Sequence, residues 1–329
     1  MKKLLGVLGT LLIFSILFTA CPENPGTETP EDEGPVPENA FRYWTPELDE
    51  EVNEWSVVGV KDLEKLVEVV NLGDDNGGSS LLDETIYLEK DVVINKNLLS
   101  ADFLEPAEDA PGVAKSGLIN LDSIGRVYNS EKDFDAADNA GISGNKPFMG
   151  EFNGQGHSIS GWYSYQGHQG LGVFGCVNGA TIKNLIVLDS SIINMNIWNS
   201  GSHDGSDDDR FGGLVGLVPE GSQGVTIENC MFVGVVGSSA AYTRDSMYEY
   251  IGGLIGRNYP KDGVSTAENC FVCAKIYGDG NVLVGKEAAA GDVVLVMTEE
   301  GSATVEGVEL NAENFARVEE EIAKIKDRL

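Results

Sequence analysis

The sequence predicts an all-β chain: a right-handed parallel β-helix (solenoid) or a close relative, with an N-terminal capping helix and a C-terminal amphipathic helix. Three observations predict it. A glycine-rich block and a β-branched block recur together about every forty residues. An asparagine holds the same place in each copy. Segments of helical periodicity flank the repeats on both sides.

The glycine-rich block occurs as Gly170-Leu171-Gly172-Val173-Phe174-Gly175, Phe211-Gly212-Gly213-Leu214-Val215-Gly216 and Ile251-Gly252-Gly253-Leu254-Ile255-Gly256. These three align without gaps. After a variable loop come Thr181-Ile182-Lys183-Asn184-Leu185, Thr226-Ile227-Glu228-Asn229-Cys230 and Thr266-Ala267-Glu268-Asn269-Cys270, each running on into an apolar strand. Gly213 to Gly253 and Cys230 to Cys270 are both steps of 40 residues. One copy cannot bury its apolar face alone, so copies stack and each strand pairs with its equivalents above and below, ~4.8 Å away. Asn184, Asn229 and Asn269 then fall in one column. They are expected to form an amide ladder at a turn of left-handed backbone.

Just before the repeats, Pro147-Phe148-Met149-Gly150-Glu151-Phe152-Asn153-Gly154-Gln155-Gly156-His157-Ser158-Ile159-Ser160-Gly161 resembles the F-x-G-x-F-D-G-N-G-H-x-I-x-G element of bacterial surface proteins. The Gly-Gly-Leu-Val-Gly blocks resemble the GLUG motif of the same proteins. Asn153 stands where Asp is commoner and Gln155 where Asn is, both conservative for a turn. The resemblance covers roughly residues 55–285. It implies a β-helical repeat region in a cell-surface setting and a helix before the first coil, and says little about chemistry.

Residues 60–72 supply such a helix. Val60, Leu63, Leu66, Val67 and Val70 share one face, and Asp62, Glu64, Lys65 and Glu68 the other. Thr85 to Asn95 reads as an early strand, followed by an irregular stretch to about 146. Residues 292–309 read as two strands around Glu299-Glu300-Gly301. A closing helix spans about 312–329, with Asn311 as N-cap and Phe315, Val318, Ile322, Ile325 and Leu329 on one face. It suits an end cap on the last coil or a short coiled coil between two molecules.

The first residues read as an export address. Lys2 and Lys3 precede an apolar run from Leu4 to Phe18, too short for a comfortable membrane span, and Phe18-Thr19-Ala20-Cys21 follows. This zone resembles the bacterial lipobox, with Phe18 where an aliphatic residue is usual. The resemblance implies that a signal peptide, residues 1–20, is removed and that Cys21 carries the lipid, palmitate included. Residues 22–40 hold five prolines and six acidic residues and no Lys or Arg. They read as a disordered tether, 21–40 with the lipidated cysteine. The β-helix then occupies 41–310 and the last helix 311–329. The implied location is the bacterial cell envelope, lipid-anchored at the outer membrane or cell surface.

Composition narrows the function classes. The chain has 329 residues, with 22 Lys+Arg against 53 Asp+Glu and a formal net charge of −31. That excludes nucleic acid as a partner, because phosphate binding needs clustered cations. No zinc-peptidase helix, nucleophile elbow, P-loop or dinucleotide fingerprint occurs. His157, His168 and His203 are the only histidines, and His157 reads as a structural turn residue. Cys270-x-x-Cys273 lacks a partner pair for zinc, while Cys230 and Cys270 share a column and suit either buried free thiols or a disulfide. Cys176 and Cys273 read as core.

No cofactor is implied, although calcium has one acidic loop to consider, with Asp204, Asp207, Asp208 and Asp209, and a second at Gly73–Gly78. A solvated loop is the plain alternative for both. Paired carboxylates for glycan cleavage are conceivable at Asp207–Asp209 or Asp245–Glu249, but basic residues to grip an acidic glycan are scarce. Loop aromatics Trp198, Tyr242, Tyr248 and Tyr250 are candidates for stacking on a sugar or anchoring a protein, and equally for packing the loops. The expectation is a non-catalytic, membrane-anchored surface lipoprotein for adhesion or for binding a host protein or glycan. The loops 193–210 and 238–250 form its candidate binding edge. A polysaccharide lyase or glycosidase on a β-helix and a structural envelope component are the alternatives.

Overall fold

Parallel pairing between successive copies organises the backbone. The computed structural model describes residues 54–73, 78–99, 117–127, 145–166, 170–194, 210–219, 221–238, 250–260, 263–277, 280–285 and 305–329. All of them belong to the unit Asn39–Leu329. The architecture is strand-rich with few helices, and its sheets are parallel.

One six-stranded sheet runs β1 (Glu54–Val57), β2 (Thr85–Leu88), β4 (Glu151–Asn153), β9 (Ala180–Lys183), β13 (Val225–Glu228) and β17 (Thr266–Glu268). A second runs β3 (Val92–Val93), β5 (Ser158–Ser160), β10 (Ile186–Asn194), β14 (Met231–Ser238), β18 (Phe271–Tyr277) and β19 (Glu306–Glu309), with β6 (Tyr163–Gln166) also paired to β10. Two smaller sheets hold β7 (Gly170–Leu171), β11 (Arg210–Gly212) and β15 (Tyr250–Gly252), and β8 (Phe174–Cys176), β12 (Val215–Val218) and β16 (Ile255–Asn258). The chain visits the four sheets in one order on each pass: β9 to β12, then β13 to β16.

Register aligns like with like. Ile182 pairs with Phe152 and Ile227, and Ile227 with Ala267, all facing the main core. Val187, Phe232 and Val272 form a second inward column. Each fully buried side chain of this size contributes about 1.5–3 kcal/mol, and none of the strands could bury it without the neighbouring copy.

The glycines of the repeat serve its corner, where β12 doubles back on β11. A Cβ on Gly212 would lie 1.8 Å from the Val215 carbonyl oxygen, and one on Gly216 2.7 Å from that of Leu171. The gap-free alignment of the first glycine block fails at this corner. Leu171 pairs with Phe211, yet Phe174 pairs with Val215, so the first copy is one residue shorter there. Two further copies lack the motif. Gly252 bridges Asn281 and Ile255 bridges Val284, while Ile124 bridges Phe174 and Phe148 bridges Val177. The stretch expected to be irregular up to residue 146 therefore contributes Ile124 to the stack.

Helix α1 (Val60–Leu72) forms as its periodicity predicts. Asp62 accepts the Val58 N–H at 2.8 Å, and Leu63, Leu66, Val67, Val69 and Val70 are buried in the main core with Trp55 and Val57. At the other terminus the expected single helix is two: α2 (Ala312–Phe315), capped by Asn311 accepting the Asn314 N–H at 2.9 Å, and α3 (Val318–Asp327). The break falls at Ala316–Arg317. An end cap on the last coil is also corrected. Val318 and Ile325 pack with Ile186, Met231, Val233, Phe271 and Cys273, which face away from the main core. Helix α3 thus lies across the outward face of the seven-stranded sheet, over β10, β14 and β18. Leu329, predicted on the apolar face, is 62% exposed. Of the two strands expected in 292–309, Glu306–Glu309 is β19, and the first lies outside the described residues.

Candidate functional site

The loop-bearing edge is built by register. Asn194 pairs with Gln166 on one side and Ser238 on the other, and Arg210 pairs with Gly170 and with Tyr250. Segments 167–169, 195–209 and 239–249 therefore leave from one row and return in another. This follows from repeat pairing alone, because parallel strands in register begin and end together. Trp198, Tyr242, Tyr248, Asp204, Asp207, Asp208, Asp209 and Asp245–Glu249 fall in these segments, outside the described residues. His168 and His203 also fall in these segments, and Asp74–Gly77, Cys21 and the tether likewise lie outside the described residues.

Tyr250 is described. It stands half-buried at the return row, with the Arg257 guanidinium 4.7 Å from its ring centre and 5.1 Å from that of Tyr259. Such stacking holds a cation against aromatic faces, worth about 0.5–1 kcal/mol at exposed sites. On the departure side Tyr163 and Tyr165 stack at 6.4 Å and 11°, and the Lys275 ammonium sits 5.4 Å from the Tyr277 ring. Aromatic and cationic groups frame both rows. The sequence marks Tyr163, Tyr165 and Tyr250 among the aromatics in or beside the loops; the pairing of rings with cations across copies had no local signal.

The asparagines take the left-handed conformation in register: φ is 55° at Asn184, 52° at Asn229 and 53° at Asn269. Asn229 Nδ2 donates to Asn184 Oδ1 at 3.0 Å, and Asn184 Nδ2 donates to Asn153 Oδ1 at 3.1 Å. The chain of amides thus reaches Asn153, one register position before the column, since Asn153 pairs with Lys183. It does not reach Asn269, whose Nδ2 donates to Glu268 Oε1 at 3.5 Å. Asn229 Oδ1 accepts from Arg328 at 3.2 Å, and its Nδ2 also donates to the Ile325 carbonyl at 3.1 Å. The expected ladder of Asn184, Asn229 and Asn269 is thus corrected: it joins Asn153, Asn184 and Asn229 and leaves out Asn269.

Cys176, Cys230, Cys270 and Cys273 are free and buried. Burial pushes the thiols of Cys176, Cys270 and Cys273 up to about 12 and that of Cys230 well above its ordinary value. A thiol held protonated is a poor nucleophile and a poor metal ligand. His157 lies 3.5 Å from Asp91 on an exposed surface. Among the described residues no group of three or more His, Cys, Asp or Glu side chains is placed to hold a metal, and no helix is long and apolar enough to cross a membrane.

Comparison with protein-family models, with curated proteins and with solved structures returns no match for this chain. No family is assigned.

Proposed function

We propose that the chain is a non-catalytic, lipid-anchored surface protein of the bacterial envelope, whose body is a right-handed parallel β-helix presenting a binding edge to a glycan or host protein. The observation that carries the reading is the row-by-row departure and return of segments 167–169, 195–209 and 239–249. A stacked scaffold that launches loops from one edge concentrates variable side chains in one place. The repeated visiting order of the four sheets supports the β-helix. The aromatic and cationic groups at the loop bases suit sugar stacking or a protein hot spot. The Lys2–Cys21 pattern supports export and acylation at Cys21, with the acidic tether holding the body away from the lipid.

The test is an array of glycans and matrix proteins probed with the purified full chain. A variant with 195–209 and 239–249 replaced by short Gly-Ser turns should lose the binding while keeping its melting temperature within a few degrees. Unchanged binding removes the loops from the site, and turnover of any polysaccharide moves the protein to the enzyme reading. Metabolic labelling with a palmitate analogue, lost in Cys21→Ser, checks the anchor.

A further inference from the structure

A cation held over a ring stands at each end of segment 239–249. Gly237, just before the segment leaves, pairs with Tyr277, over whose ring the Lys275 ammonium sits at 5.4 Å. Tyr250 receives the return, and the Arg257 guanidinium lies over both that ring and the Tyr259 ring, at 4.7 and 5.1 Å. Arg257 and Lys275 are half-buried and reach solvent. Arg210, which pairs with Tyr250, is fully buried and serves the chain's own interior. A ring fixes a cation in position without neutralising its charge. Arg257 and Lys275 also touch other groups of the chain. A guanidinium carries five donors in a rigid fork, so a ligand oxygen adds to such contacts without displacing them. In a chain of net charge −31, a cation fixed at both ends of one loop departs from the prevailing charge.

We propose that the ligand of the loop edge is a glycan bearing carboxylates at intervals, with an acidic sugar held at Arg257. This rests on the binding edge proposed above and names the class of ligand it takes. The guanidinium meets the sugar carboxylate through two parallel N–H···O bonds. Tyr250 and Tyr259 keep the guanidinium in place and offer apolar ring surface beside it to the sugar. Lys275, a flexible point charge, attracts a further carboxylate at the departure row. A polymer suits the edge because its rows repeat along the stack about every 4.8 Å. Neutral sugars between the acidic ones suit it because a continuous polyanion is repelled by the net charge of −31.

The test is an array of hyaluronan, pectin, alginate and sialylated oligosaccharides, each printed again after its carboxyls are reduced to alcohols, and probed with the purified full chain. Acidic forms with interspersed neutral sugars should bind, and their reduced counterparts should bind about tenfold more weakly, the worth of one charge-assisted pair. Arg257→Lys keeps the charge and loses the fork. It should weaken the acidic forms about tenfold and leave the reduced forms and the melting temperature unchanged. Lys275→Gln should weaken the acidic forms less, because only a point charge is lost. Equal binding of acidic and reduced forms, or full binding by Arg257→Lys, overturns the carboxylate site and leaves the loop edge standing as a surface for neutral glycans. Binding of an acidic peptide and of no glycan, lost in Arg257→Lys, assigns the fork to a protein partner and overturns the glycan. Absence of binding to every glycan and matrix protein overturns the binding edge itself.

Discussion

Asn184 and Asn229 satisfy two demands with one side chain: a left-handed backbone angle and an amide bonded along the stack. Alanine meets neither. The angle alone costs an ordinary residue roughly 1–2 kcal/mol, and orphaned buried partners add about 1–3 kcal/mol. Asn229→Ala should therefore lower stability by about 2–4 kcal/mol in urea titrations, and Asn229→Gly by less, because glycine accepts the angle. Asp189 is a second special residue. It sits at φ 49° where the register of β10 and β14 shifts, and its carboxylate accepts the Leu98 and Leu99 N–H groups. Burial raises its pKa despite those bonds. The folded chain thus binds this proton more tightly than the unfolded one, so Asp189's contribution is fully present below the unfolded pKa and is lost as pH rises through the folded pKa. Stability of the unaltered chain relative to Asp189→Asn should grow as pH falls through the carboxylate range; a difference curve of opposite slope from urea midpoints would refute it.

The elements are held by columns, and the columns carry charge as well as apolar groups. On the outward face of the six-stranded sheet, Lys183 pairs with Glu228, and Glu228 with Glu268. Lys183 also reaches Glu151 at 2.8 Å. Opposite charges meet at the first step and like charges at the second. Glu268→Lys restores alternation and should stabilise the fold by about 0.2–1 kcal/mol, an increment that shrinks in added salt. Circular-dichroism melts at low and high ionic strength measure both. At the corners the constraint is steric: β12 can double back on β11 only where Gly212 carries no side chain, and can pack against Leu171 of the neighbouring copy only where Gly216 carries none.

For the whole molecule, the outward sheet face sets the prediction. Ending the chain at Leu310 strips α2 and α3 from an apolar surface formed by Ile186, Met231, Val233 and Phe271. The truncated protein should self-associate in light scattering while the full chain, repelled by its net charge of −31, does not. Much of this architecture was legible from residue order. The forty-residue period, the parallel stacking of equivalents, the left-handed asparagines and the face of α1 all follow from spacing, and spacing is local information. Copies whose loops shrink or whose motif is absent, at Asn281–Val284 and Ile124, escaped it because only their pairing marks them. The same holds for the loop-edge site: its rows were readable, but the Arg257–Tyr250–Tyr259 stack was not. Residue order by itself determined the repeat, the strand and helix periodicities and the acidic character of the chain. Only the tertiary structure decided that the last helix lies along the sheet and that Arg328 reaches the Asn229 amide. That contact joins residues 99 positions apart, and such a contact is settled by which groups can meet in space.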